Sequence, residues 1–290
     1  MANNIALAKK YAALLDETYR ENAKTAVLES DAALAREGAN ANEIVIPRLT
    51  MDGLADYSRS GGYVDGDVSL TWETVRFNYE RGRMFSVDAM DNEETQSIAF
   101  GSLAGEFVRS KAVPELDAFR FAQMAGTEGI FSASGELGDG EAAVAAVRAA
   151  VSEMDAAEVP SDNRILFITP VIKGMIDDLD TTRSRAVLSS FEDIVVVPQS
   201  RFYSAIELAD GISEGETEGG YSKAAEGKNI NFMIVHKGAV IQFTKHAVPK
   251  IISPAANPDA DSWKYGYRSY GLCSVYPSRA NGIYCHCSDN

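Results

Sequence analysis

The stretch that decides the fold is VDGDVSLTWETVRFNYERGRMFSV, which runs from Val64 to Val87. It carries strand-forming residues at most positions and contains no proline, so it predicts the return arm of a very long β-hairpin. The first arm opens at Glu43, and the glycines and aspartates of 57–67 predict the tip. A straight strand from Val64 to Met84 spans roughly 70 Å, whereas a compact chain of this length is roughly 50 Å across. We therefore expect the hairpin to project and to pack on another molecule.

The apolar side chains of this arm change face along its length. Val68, Leu70 and Trp72 alternate with polar residues on one face, whereas the apolar set that begins at Val75 continues on the other. Since a shift of one residue turns the apolar side chains of a strand to the opposite face, we predict a bulge or a sharp twist near 73–75. Either the arm lies between two partner molecules, or it crosses from one sheet to another within one subunit. The length of the arm favours the first explanation.

The hairpin also supplies the candidate binding residues. Its apolar side chains would cover neighbouring molecules, and its arginines can pair with carboxylates on the next subunit through two parallel hydrogen bonds. The candidate subunit-interface residues are Arg59, Val68, Leu70, Trp72, Val75, Arg76, Phe77, Tyr79, Arg81 and Arg83.

Composition excludes several function classes. The formal net charge of −15 and the pI near 4.7 oppose general binding to nucleic acid, which relies on Lys and Arg to neutralise phosphates. The same charge disfavours anionic membranes, and no apolar run reaches the length of about 18 residues that a membrane span needs. The three cysteines, Cys273, Cys285 and Cys287, cannot all pair within one chain. Because the N-terminus also lacks an apolar signal core, we expect a reducing cytoplasm as the compartment.

A long helix is predicted directly after the arm. Asp91 or Asn92 can cap its N-terminus, and the acidic residues at 93–94 favour the helix dipole. An apolar stripe continues to Met124, which gives a helix of about 48 Å. Pro114 falls inside this pattern and is expected to kink the helix.

The remaining elements indicate a mixed sheet flanked by helices. Helices are predicted over 2–36, 141–154 and 171–179, and strands over 164–169, 194–197 and 263–276, with a last strand at 283–287. A hairpin is predicted over 231–243, a loop or hairpin over 126–140, a surface loop over 211–228 and a linker over 249–258.

The junction between arm and helix resembles one known family. Arg81-Gly82, Phe85, Val87-Asp88 and Met90-Asp91 precede Glu93-Glu94-Thr95, which opens the helix. This junction, with the order and lengths of the elements, is similar to the major capsid proteins of tailed bacteriophages, the family of the Hong Kong 97 fold. The resemblance implies an α+β fold in five parts. These are an N-terminal arm (1–42), an extended loop (43–90), a peripheral domain with a spine helix (91–138), an axial domain (139–244) and a return segment of the peripheral domain (245–290).

The resemblance also implies a function. It describes a major capsid protein that self-assembles, through hexamers and pentamers, into the icosahedral head shell around the double-stranded DNA of a tailed phage. The implied partners are other copies of the chain, DNA held without sequence readout, and scaffold, portal and decoration proteins, with no membrane and no cofactor. The implied location is the virion, after assembly in the host cytoplasm. Some members crosslink their shells through a lysine of the extended loop, but this chain has no lysine between Lys24 and Lys111.

Two alternatives remain open. An encapsulin-type bacterial compartment shell shares the architecture and differs in its cargo. A magnesium-dependent enzyme would use Asp177, Asp178 and Asp180, because clustered carboxylates suit Mg²⁺. A solvated helix end is the simpler explanation of that cluster, so we predict no enzyme.

One further motif has metal-ligand chemistry. Cys285-His286-Cys287 resembles half of a metal site. Structural zinc takes four ligands with wider spacing inside each pair, and Cys273 is the only other cysteine of the sequence. We therefore predict no metal site.

Overall fold

The computed structural model describes residues 23–30, 36–37, 42–94 and 98–289. In these ranges the strands are β1 (Arg36–Glu37), β2 (Glu43–Met51), β3 (Val68–Arg76), β4 (Tyr79–Asp88), β5 (Phe131–Ser134), β6 (Arg164–Ile168), β7 (Asp193–Val196), β8 (Ile206–Ala209), β9 (Gly220–Lys223), β10 (Ile230–His236), β11 (Val240–Ile252), β12 (Ser262–Val275) and β13 (Ile283–Cys287). The α-helices are α1 (Ala89–Glu94), α2 (Ile98–Phe107), α3 (Val113–Ala125), α4 (Gly140–Ala156), α5 (Pro170–Leu179) and α6 (Thr182–Leu188).

Most of the predicted N-terminal helix, 2–36, lies outside the described residues. Its described part is not α-helical. Lys24–Leu28 forms a 3₁₀ helix, and Arg36–Glu37 forms the strand β1.

The predicted hairpin is present, but it is shorter than the sequence indicated. β2 pairs antiparallel with β3 without a register shift, from Glu43 opposite Arg76 to Met51 opposite Val68. β1 adds a third strand beside β2. Residues 52–67 join β2 to β3 and form the tip.

The return arm leaves the hairpin at Phe77 and Asn78. Its continuation, β4, pairs with β12 in a second three-stranded sheet of order β11-β12-β4. The prediction of one continuous arm is therefore wrong, and the arm crosses between two sheets of the same subunit. Of the bulge or sharp twist predicted near 73–75, the bulge is wrong, because β3 keeps its pairing with β2 as far as Arg76. The change of apolar face at Val75 is the sequence signal of this crossing.

A short helix, α1, follows the arm and begins earlier than the predicted long helix; residues 95–97, between α1 and α2, lie outside the described part of the chain. Asp88 Oδ1 accepts a hydrogen bond of 2.9 Å from the Met90 amide, so Asp88 takes the capping position predicted for Asp91 or Asn92. α2 and α3 are joined by a π-helical turn, Val108–Ala112, and Pro114 is the second residue of α3. In a π-helical turn the hydrogen bonds join residues five apart instead of four. The helix therefore continues through the proline, which has no N–H to donate. We call Ile98–Ala125 the spine helix; it spans roughly 42 Å.

The predicted mixed sheet is confirmed, in the order β5-β13-β10-β6-β7. β10 runs antiparallel to both of its neighbours, whereas the outer pairs β5–β13 and β6–β7 are parallel. Every residue of β6 is buried, which explains its continuous apolar run. The segment 245–290 divides between sheets, since β12 lies beside β4 and β13 lies in this five-stranded sheet.

Four local predictions hold only in part. The segment 126–140 contains the edge strand β5, and the predicted surface loop 211–228 contains β9, which pairs with β8. β10 and β11 form no hairpin with each other, because the 3₁₀ turn Lys237–Ala239 leads β11 into the other sheet. The predicted linker 249–258 begins inside β11, which pairs with β12 as far as Ile252.

The two faces of the five-stranded sheet bury different helices. Phe121 of the spine helix packs edge-on against Phe167 of β6 and Phe202, with ring centroids 5.2 and 4.7 Å apart. On the opposite face, apolar side chains of α4 and α5 contact Leu166 and Ile168. The sheet is thus the layer on which the spine helix and the outer helices are fixed.

The N-terminus of α4 gives a first testable prediction. Asp139 Oδ1 accepts a hydrogen bond of 2.8 Å from the Ala142 amide. Asp139→Ala removes this cap, and we expect the free energy of unfolding in urea to fall by about 1 kcal/mol. Asp139→Ser keeps an oxygen at this position and should stay close to wild type. Equal losses for the two variants would show that the cap has no role.

Candidate assembly interface

One face of the hairpin is apolar and exposed. Residues directly opposite each other in an antiparallel pair share a face, and here Leu49 lies opposite Leu70, Met51 opposite Val68, and Trp72 next along β3. These five side chains are between 45% and 69% exposed. We call them the hairpin face. A contiguous apolar surface of this kind on a folded subunit marks an interaction site.

The tip has its own hydrogen bonds. At the end of the ribbon the Asp52 amide donates to the Asp67 carbonyl at 3.1 Å, and the Asp67 amide donates to Asp52 Oδ2 at 2.9 Å. Further out, Ser58 and Gly62 exchange two backbone hydrogen bonds of 3.2 and 2.7 Å. Gly62 has φ = +80°, which suits glycine. The tip therefore has a defined shape without a core beneath it.

Apolar exposure continues through the tip. Leu54 and Tyr63 are almost fully exposed, and Tyr57 and Val64 are exposed as well. The Tyr57 and Tyr63 rings meet edge-on at 4.9 Å, which holds two large apolar surfaces together on the outside of the molecule. The sequence analysis missed these tip residues and also Leu49 and Met51 of the first arm. The alternation of Leu49 and Met51 with polar neighbours was the signal that could have identified that pair.

The base of the hairpin, in contrast, is fixed to its own subunit. Ile44 and Ile46 are buried against Ile241 of β11 and Leu272 of β12. The ribbon therefore has one end inside the subunit core and one end outside it.

Three predicted interface residues lie at this base. Tyr79 is 4% exposed, packs on Phe119 at 4.8 Å and donates from its hydroxyl to Glu115 at 3.3 Å. The predicted interface role of Tyr79 is wrong, because its own chain already covers it. Val75 and Phe77 are half-buried on the same chain, and Phe77 stacks on Tyr270 with ring centroids 4.7 Å apart.

The four predicted arginines divide into two groups. Arg59 is exposed at the tip, and Arg76 is mostly exposed while its Nε donates to Glu43 at 3.3 Å. Arg81 and Arg83 instead contact the strand pair β8–β9 and the loop between its strands within the same chain. Arg83 donates to the Thr217 carbonyl at 3.0 Å. Arg81 and Arg83 thus have partners within their own chain, and Arg83 remains exposed.

Arg81 joins three parts of the chain. Its Nε donates to Glu115 of the spine helix at 2.7 Å, and its Nη2 donates to the Ala209 carbonyl at 2.7 Å and to the Gly220 carbonyl at 3.3 Å. Charged hydrogen bonds of this type contribute roughly 1.5–3 kcal/mol. Arg81 therefore fixes β8 and β9 against β4 and the spine helix.

We expect Arg81→Ala to lower the free energy of unfolding by roughly 1.5–3 kcal/mol. Amide hydrogen exchange should also accelerate in β8 and β9, which lose their attachment to β4. Arg268→Ala is the control, because Arg268 pairs with Glu80 on the exposed surface of the next strand and should change stability by less than about 1 kcal/mol. Similar losses for both variants would contradict the joining role of Arg81.

Asp177, Asp178 and Asp180, the carboxylates that a magnesium-dependent enzyme would use, are not directed at a common point. Asp177 accepts from Lys173 Nζ at 2.6 Å, and Asp180 pairs with Arg185 beyond the end of α5. Asp178 is exposed. Among the residues that the structure describes, no group of three or more His, Cys, Asp or Glu side chains is arranged to hold a metal ion. These contacts fit the solvated helix end that the sequence analysis took as the simpler explanation.

The Cys-His-Cys motif is also divided. Side chains alternate along β13, so Cys285 and Cys287 share one face and His286 lies on the other. His286 stacks on Phe232 at 5.0 Å, and its Nδ1 is 3.2 Å from the Asn231 amide nitrogen.

In the described part of the chain no helix combines the length and apolar composition needed to cross a bilayer.

Comparison with known proteins finds similarity in structure. No protein-family model and no curated protein matches the chain in sequence. A capsid protein of the mature bacteriophage PhiM1 superposes with a TM-score of 0.57 at 11% identity, covering 86% of this chain and 82% of that one. A capsid chain of cyanophage P-SCSP1u gives 0.55 at 11% identity, covering 88% and 86%.

A third similar structure is the virus-like particle from Pyrococcus furiosus. It superposes with a TM-score of 0.56 at 12% identity and covers 97% of this chain and 99% of its own. Structural similarity at identities this low establishes a shared fold and nothing more. The chain therefore has the fold of tailed-phage capsid proteins, the Hong Kong 97 fold that its sequence predicted.

Proposed function

We propose that this chain is the major capsid protein of a tailed phage, which self-assembles into the icosahedral head shell around double-stranded DNA. The observation that carries the proposal is the hairpin face, an apolar β-ribbon that its own subunit leaves exposed. The fold shared with capsid proteins supports the same conclusion.

The mechanism is burial between copies. A ribbon of this length extends about 30 Å from its base. Among the described residues, Ile44 and Ile46 at the base are buried by the subunit, whereas the hairpin face is exposed. A second copy that covers the hairpin face removes apolar surface from water at about 25 cal/mol per Å². Obligate interfaces commonly exceed about 2,000 Å². Because residues 43–76 contain no lysine, the contact is non-covalent in this account.

The charge of the chain supports weak, general contact with the packaged DNA. At a net charge of −15 the carboxylates of the subunit outnumber its cations, so it has no excess of positive charge for phosphate neutralisation. The inner wall would then confine DNA without reading its sequence. Hexamers and pentamers, assembly in the host cytoplasm, and contacts with scaffold, portal and decoration proteins belong to the same proposal.

The proposal is tested by expressing the chain and examining it by size-exclusion chromatography and negative-stain electron microscopy. We expect closed particles, or capsomers that close when a scaffold protein is supplied. A protein that stays monomeric at high concentration, alone and with scaffold, would overturn the proposal.

A second candidate function is a shell around a protein cargo. The observation that favours it is the similarity to the virus-like particle of Pyrococcus furiosus along 97% of this chain. The two functions differ in contents. Nuclease-protected DNA inside particles from the native source supports the phage head, whereas particles with protein cargo and no DNA support the compartment shell.

A further inference from the structure

Cys285 and Cys287 form a close pair of thiols on β13, apart from the hairpin face. They lie two residues apart on β13, so their side chains leave the same face of the sheet. The two sulfur atoms are 3.7 Å apart and within hydrogen-bonding distance. Cys273, the third cysteine, is buried elsewhere on β12, where its Sγ lies 3.9 Å from the Arg120 carbonyl. β13 therefore presents one close pair of thiols.

The two thiols have different surroundings. Cys285 is 2% exposed in the core, whereas Cys287 is half-buried near the end of the strand. A hydrogen bond from Cys285 lowers the pKa of the Cys287 thiol against the opposing effect of burial, and the Lys228 charge lowers it further. The same hydrogen bond, together with burial, raises the pKa of Cys285. Cys287 is thus the accessible, more acidic thiol and Cys285 the shielded one.

We propose that Cys285 and Cys287 form a reversible dithiol–disulfide site that takes a small disulfide, such as oxidised glutathione, as its oxidant. The Cys287 thiolate attacks one sulfur of the oxidant, forms a mixed disulfide and releases one glutathione. The Cys285 sulfur then loses its proton, attacks the Cys287 sulfur and displaces the second glutathione. Two protein thiols and one oxidised glutathione give one protein disulfide and two glutathione thiols, so protons and electrons balance.

Closing the bond changes the strand locally. The sulfurs must move from 3.7 Å to about 2.05 Å apart, which draws residues 285 and 287 together. These residues pair with Ser132 and Ser134 of the edge strand β5, and the Gly135 amide donates to the Cys287 carbonyl at 3.0 Å. Oxidation is therefore expected to loosen β5.

A particle that leaves a reducing cytoplasm meets an oxidising medium. The pair would then be reduced during assembly and oxidised after release. This timing alone rests on the proposed function. The chemistry of the pair does not depend on it.

The experiment incubates the reduced, purified protein with oxidised glutathione, blocks free thiols with iodoacetamide under denaturing conditions and measures peptide masses. We expect the peptide with Cys285 and Cys287 to be about 2 Da lighter than its reduced form and unalkylated, while Cys273 is alkylated. Dithiothreitol should reverse the change. Hydrogen exchange over 131–135 should be faster in the oxidised protein.

Single variants separate the site from general thiol reactivity. Cys273→Ser should oxidise as wild type does. Cys285→Ser should stop at a glutathione adduct on Cys287, and Cys287→Ser should leave Cys285 unmodified. Three alkylated cysteines in the treated wild type, or disulfides between chains, would overturn the proposal. These outcomes are measured on the purified subunit, so the test remains valid even if the shell does not assemble.

Discussion

Replacing Leu70 by aspartate should prevent shell assembly while leaving the subunit folded. Leu70 is 55% exposed, so the change removes little packing and should alter subunit stability by less than about 1 kcal/mol. In the proposed shell a neighbour would cover this position, where an unpaired carboxylate costs several kcal/mol. Since about 1.4 kcal/mol is a factor of ten, we expect particle yield in size-exclusion chromatography to fall by about a hundredfold or more.

The adjacent residue provides the matched control. Ser69 is also exposed on β3 but lies on the opposite face of the ribbon. Ser69→Asp adds the same charge one position away and should assemble with near wild-type yield. Equal loss of particles in both variants would mean that added charge, and not the hairpin face, controls assembly.

The second large effect is expected at Asp117, a fully buried carboxylate of the spine helix. It accepts hydrogen bonds from the Lys24 amide at 3.0 Å, from the Thr25 amide at 3.0 Å and hydroxyl at 2.7 Å, and from Arg201 at 3.2 Å. Asp117→Ala leaves these donors without their acceptor. We expect the free energy of unfolding of the dissociated subunit, measured in urea, to fall by roughly 3–5 kcal/mol.

Asp117 also holds residues 23–30 against the spine helix, since Thr25 is buried there and Glu29 pairs with Arg120 at 3.3 Å. Hydrogen exchange at the Lys24 and Thr25 amides should therefore accelerate more than exchange in β6. Asp259→Ala is the control, because Asp259, which pairs with Lys264, is itself 74% exposed and its loss should cost less than about 1 kcal/mol. A loss for Asp117→Ala no larger than that of the control would refute the buried anchor.

Sequence periodicity predicted the hairpin, the spine helix and the buried strands, because each has a repeating apolar pattern. It could not decide between the two explanations of the phase change at Val75. Periodicity reports which side chains are buried and is silent on the strand that covers them. β4 finds its partner in β12, and the paired residues are between 174 (Asp88 and Ser262) and 192 (Tyr79 and Gly271) positions apart.

The missed elements share a physical reason as well. β5 is a four-residue edge strand in a Gly- and Ser-rich segment, and it is held in place by pairing with β13 rather than by its own propensity. Lys237-Gly238 resembles a hairpin turn, yet the chain there makes a 3₁₀ turn and changes sheet. Tertiary pairing overrode the local signal in both cases.

The candidate interface was predictable only in part. Val68, Leu70 and Trp72 are exposed as an interface requires, whereas Tyr79 and Arg81 have partners within their own chain. Arg81 binds the carbonyls of Ala209 and Gly220, and backbone acceptors so far along the chain leave no sign near the arginine itself.

The central claim is that the hairpin face is buried by other copies of the chain. A cryo-electron microscopy reconstruction of the assembled particle tests it most directly. We predict that Leu49, Met51, Val68, Leu70 and Trp72 of one subunit lie against a neighbouring subunit. A particle in which this face remains in solvent, or folds back onto its own subunit, would contradict the account.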